Sequence, residues 1–172
     1  MKIFCFTLIS VFATFWAELA LANAGVFLPL MMLQVFYITV VRKWKLALIS
    51  AFIMCSSIDS MLDVISLPSM FVVVICASFW RSLGDCSRSE MQFLPLLFTL
   101  LPSLLVLFLL NHYLNGGLWN WSHFGIHFSI ALFGGAFAAP FFIYVQDMLA
   151  AALKISTYTD IQREELYRAS DY

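Results

Sequence analysis

The chain has 172 residues and is 63% hydrophobic and 17% aromatic but only 11% charged. Soluble domains are about 45–50% apolar and about 25% charged, so this composition excludes a soluble enzyme and a disordered chain. Nine Lys and Arg against ten Asp and Glu leave a net charge of −1, with no basic excess to neutralise nucleic-acid phosphates. The mean hydropathy of +0.94 points to an integral membrane protein.

A spanning helix needs about 20 mostly apolar residues. Six stretches approach that length: Ile3–Leu21, Gly25–Val41, Leu46–Ile65, Leu67–Leu83, Phe93–Leu110 and Phe124–Val145. They are continuous apolar runs, not the alternating segments of about ten residues that build outer-membrane barrels. The predicted fold is therefore an all-helical bundle of about six transmembrane helices over residues 1–153, with a short polar tail over 154–172. The fourth stretch is short and relies on Arg81 reaching the interface.

The basic residues set the expected orientation. They are Lys2, then Arg42, Lys43 and Lys45, then Arg81 and Arg88, and finally Lys154, Arg163 and Arg168. With six spans all nine fall on one side, and the other connections carry none. Cytoplasmic loops hold the positive charge, so both termini are expected inside. The first stretch also reads as a secretory signal ending in Ala22-Asn23-Ala24. Its length and the interruption at Glu18 favour a retained helix.

The four cysteines form no CxxC, and Cys86 falls in an expected cytoplasmic loop, so neither a disulfide framework nor a zinc site is expected. Ionisable residues within spans are costly and mark candidate sites. They are Glu18, Asp59, Asp63, Asp147 and His127. Asp59 and Asp63 are four apart and share a helix face. They suit an ion, proton or metal site, or else a contact to a neighbouring span at Asp59 and a helix end at Asp63. The terminal D-x-x-x-D alone does not make the longer signature of phosphatidyltransferases. His123 and His127 are also four apart, with His112 nearby, in an aromatic stretch typical of the membrane interface. No metal, cofactor or catalytic nucleophile motif is expected. Asn120-Trp121-Ser122 fits a glycosylation sequon, a pattern of three common residues. In the last stretch, Gly134 with Ala138 and Gly135 with Ala139 are small-xxx-small pairs, followed by Pro140. They predict a helix-docking face, either within the chain or towards a partner.

The order of three further features resembles the MreD family, small membrane proteins of the bacterial rod-shape system. Pro29-Leu30-Met31-Met32 through Tyr37 matches a proline that opens a span and leads to a tyrosine. After the basic turn Arg42, Lys43 and Lys45, residues Ala51–Ser66 match a stretch of two glycines four apart and an aspartate, here Asp63. The glycine positions hold Cys55 and Asp59. Gly134–Leu149 matches a small-residue stretch into Ala-Pro, with Pro140 on that proline. The resemblance implies a non-enzymatic scaffold in the bacterial inner membrane. Its implied partners are membrane lipid, MreC, the actin-like MreB, and the RodA and penicillin-binding-protein pair that builds peptidoglycan. The alternative is a six-span substrate-binding subunit of a vitamin or metal uptake transporter. That class needs a polar pocket lined by Glu18, Asp59, Asp63 and His127.

Overall fold

The computed structural model describes residues 2–42, 44–62, 65–82, 93–114 and 121–161. These form six helices: α1 Lys2–Asn23, α2 Leu30–Val41, α3 Trp44–Leu62, α4 Leu67–Ser82, α5 Phe93–Leu114 and α6 Trp121–Ala152. There is no strand among the described residues. Four helices, α1, α3, α5 and α6, are long and apolar enough to cross a membrane, whereas α2 and α4 are shorter apolar helices.

The helix ends follow from local chemistry. Gly25 stops α1 in a left-handed conformation (φ 76°), with its N–H bonded to the Ala22 carbonyl and the Val26 N–H to Leu21. This double closure satisfies carbonyls that the last turn leaves open. The second apolar stretch, expected to be helical from Gly25, becomes helical only at Leu30. Pro29 has no N–H and disfavours helical geometry in the residue before it, so residues 26–29 stay non-helical. α6 runs past the expected Val145 to Ala152. It ends with the same double closure, Lys154 N–H to Ala151 and Ile155 N–H to Ala150, with Lys154 at φ 55°.

α2 is the hub. It packs against each of the other five helices, and all its residues except Val40 are buried. A helix apolar all round belongs in such a position. The outer helices show the reverse pattern. On α1, Phe4, Leu8, Phe12 and Trp16 face outward in one ridge, and on α6 Phe133, Phe137, Phe141, Tyr144 and Met148 do so. Ser10, Thr14, Gln34, Ser69, Thr99, Ser103 and Gln146 are meanwhile buried. Polar groups inside and large apolar ones outside suit a lipid exterior. Within α5, the Thr99 hydroxyl donates to the Leu96 carbonyl and that of Ser103 to Thr99 and Leu100. These bonds brace the backbone around Pro102, as hydroxyls do in apolar surroundings.

Candidate functional site

One face of α1 carries Ser10, Thr14 and Glu18, spaced four apart and all buried. Each meets the hub. The Ser10 hydroxyl donates to Gln146 Oε1 at 2.6 Å and accepts a short hydrogen bond from Gln34 Nε2. The Thr14 hydroxyl donates to the Ser10 carbonyl at 2.8 Å and reaches Gln34 Oε1 at 3.3 Å. α1, α2 and α6 are thus joined by side-chain amides and hydroxyls at the level of Gln34. Interhelical bonds of this kind average about 0.6 kcal/mol in membranes. Leaving one partner buried and unbonded costs more, about 1–3 kcal/mol.

At one end of this track, Glu18 Oε2 accepts the Met31 N–H at 2.6 Å. Met31 lies in the first turn of α2, where N–H groups lack intrahelical partners and the helix dipole favours a negative group. Pro29 offers no side-chain cap, and Glu18 supplies one from the neighbouring helix. At the other end the Tyr37 hydroxyl donates to Asp147 Oδ1 at 2.6 Å. Asp147 also accepts the N–H groups of Tyr158 and Thr159, at 2.8 and 3.2 Å, and the Thr159 hydroxyl at 3.0 Å. It caps a helical turn over 158–161. In that turn Thr157 and Asp160 bond each other's N–H groups in a capping box. Beyond it, the Arg42 guanidinium donates to the Ser156 hydroxyl and carbonyl at 3.1 and 3.3 Å. The chain after α6 is folded back onto the end of α2.

The remaining candidates lie elsewhere. Asp59 Oδ1 accepts the N–H and hydroxyl of Ser66, at 2.9 and 2.6 Å. It closes the turn from α3 to α4, which Asn111 of α5 also grips through the Ile65 backbone. Asp63, Lys43, Cys86, Asn120 and the side chain of His123 lie outside the described residues. His112 is half-buried and His127 exposed. Glu18 and Asp59 both lie near the buried Cys55, whereas His127 is exposed. Among the described residues no group of three or more His, Cys, Asp and Glu is placed to hold a metal.

The expected docking face of α6 is filled from within the chain. A Cβ at Gly134 would lie 2.7 Å from Leu28 Cδ2, and one at Gly135 would lie 2.9 Å from Pro29 Cγ and 3.5 Å from Leu100 Cδ1. Ala139 is buried, Ala138 half-buried and Pro140 exposed. Of the two readings of this face, Gly134 and Gly135 take the one within the chain. The glycines let the irregular segment before α2 lie against α6, so that surface is already taken.

The neutral members of the track, Ser10, Thr14, Gln34 and Gln146, carry no charge that would mark them within an apolar run. The four-residue spacing of Ser10, Thr14 and Glu18 was the available signal. No family model, curated protein or solved structure matches the chain.

Proposed function

We propose that the chain is a six-span protein of the bacterial inner membrane, with both termini cytoplasmic, acting as a non-enzymatic scaffold of the cell-elongation machinery. The partners are those its resemblance to MreD implies: MreC, MreB, RodA and the penicillin-binding protein. The observation that carries a scaffold over a transporter is the internal pairing of the polar track. Gln34, Ser10, Thr14 and Gln146 bond one another, Glu18 bonds backbone, and Asp147 bonds Tyr37 and the returning chain. Their hydrogen bonds are spent on architecture. The outward ridges of α1 and α6 are then the surfaces left for docking.

One feature supports six spans. The basic residues Lys2, Arg42, Lys45, Arg81 and Lys154 all sit at helix ends or turns. The orientation predicts that an impermeant thiol reagent applied from outside labels Asn115→Cys and spares Cys86. Labelling of Cys86 in intact cells would reverse it.

The scaffold is tested by purification in mild detergent from rod-shaped cells. The wild-type chain is expected to retain MreC or RodA. Phe137→Ala, at an outward residue 86% exposed, should reduce that retention several-fold with no loss of membrane level. Recovery of the chain with none of these proteins would reject the reading.

A further inference from the structure

Five described cations mark one end of the bundle. Arg42 closes α2 and its guanidinium lies 5.7 Å over the ring of Phe6, near the start of α1, where Lys2 stands. Arg81, in the last turn of α4, donates to the Arg42 carbonyl at 3.1 Å. Lys45 opens α3, and Lys154 follows α6, two residues before the Ser156 that Arg42 grips. Lys2, Lys45, Arg81 and Lys154 are exposed and Arg42 is half-buried.

No carboxylate among the described residues forms an ion pair with these five groups. Asp147 is occupied by Tyr37, Tyr158 and Thr159. Arg42 uses two guanidinium N–H groups on Ser156, and its Nε is buried without a hydrogen-bond partner. Arg81 uses one. Each guanidinium has five donors, so most of them stay available. Arg81 reaches the backbone of Arg42, and a guanidinium fork fits the oxygens of a phosphate. Beside them Trp44 is exposed, with Lys45 5.7 Å over its ring. An exposed Trp at a helix end belongs at headgroup depth.

We propose that this end, centred on Arg42 and Arg81 with Lys45 and Lys154 beside them, binds the phosphodiester headgroup of an anionic phospholipid. The site rests on the reading of the chain as a membrane bundle, with this end at an interface. It does not depend on which leaflet that is. The lipid sits where the apolar flank of the bundle meets its cationic end, so its chains and its headgroup find partners together.

The test is native mass spectrometry of the full chain in non-ionic detergent micelles doped with phosphatidylglycerol or with phosphatidylcholine of the same acyl chains. Micelles expose both ends, so the result is independent of orientation, which thiol labelling reads separately. Phosphatidylglycerol should be retained about tenfold better. Each of Arg42→Gln and Arg81→Gln should lower its retention about fivefold, the usual worth of one basic residue at an anionic surface. Arg81→Gln removes an exposed side chain with one hydrogen bond, so its fold is retained, and melting curves check this. Arg81→Lys should fall between, since it keeps the charge and loses the fork. Equal retention of the two lipids, or a preference that survives both Gln variants, would overturn the site. So would release of phosphatidylglycerol by millimolar inorganic phosphate, which would make it a site for free anions.

Discussion

Gly135→Leu is expected to destabilise the bundle itself by at least about 1–3 kcal/mol, the range for overpacking a filled interior. The first atom of the new side chain already meets Pro29 Cγ at 2.9 Å and Leu100 Cδ1 at 3.5 Å. Pro29 is a rigid ring that sets the start of α2, so it cannot rotate aside as the end of a long side chain can. The remaining atoms of Leu would push α6 away from both α2 and α5. Thermal unfolding in detergent should show a midpoint lowered by several degrees, with less protein in the membrane. Ile130→Leu, at an outward position, should melt with the wild type. A Gly135→Leu protein of unchanged stability that loses partner proteins would restore the docking face to the surface.

That outcome separates what sequence conveys from what it does not. Gly134-Gly135 with Ala138 and Ala139 signals a close approach of helices, and a close approach is found. The sequence does not say what approaches. The segment Leu28-Pro29 is as apolar as a helix, so hydropathy cannot show that it is irregular or that it lies against α6. The helices were legible wherever a long apolar run was bounded by basic or turn residues, as at α4, which ends one residue from the expected Leu83. The last apolar run ends at Val145, yet the helix continues through Gln146 and Asp147 to Ala152 because both side chains find partners inside the bundle.

The candidate site was half legible for the same reason. Glu18 stood out as an acid within an apolar run, since such a residue must find a partner. That its partner is the Met31 N–H depends on α2 starting at Leu30. Gln34 carried no signal of its own in LMMLQVFYITVV, because one neutral amide in an apolar helix is compatible with any face. Only packing against Ser10 and Thr14 turns it into the junction of three helices. Asp59 reads as a contact to a neighbouring span or as part of an ion site, and its carboxylate bonds Ser66 in the turn between α3 and α4.

Asp147→Ala is expected to release the chain after α6. The carboxylate accepts four hydrogen bonds, from the Tyr37 hydroxyl, the Tyr158 and Thr159 N–H groups and the Thr159 hydroxyl. Tyr37 is fully buried, so its hydroxyl would be left without water or protein, at about 1–3 kcal/mol. The two backbone donors lie in the first turn over 158–161, where no intrahelical acceptor exists. What then holds the turn is the stacking of Tyr158 on Tyr37, with ring centroids 6.3 Å apart, and the grip of Arg42 on Ser156. Hydrogen exchange at the Tyr158 and Thr159 amides should accelerate at least about tenfold, the equivalent of ~1.4 kcal/mol of lost protection. Asp147→Asn keeps one acceptor oxygen but turns an NH2 towards the Thr159 donors, so its acceleration should be smaller. Tyr37→Phe removes one donor and leaves the carboxylate its other three bonds, so it should change exchange least. Unchanged exchange in the Ala variant would assign the folded-back chain to the Arg42 contact and ring packing alone.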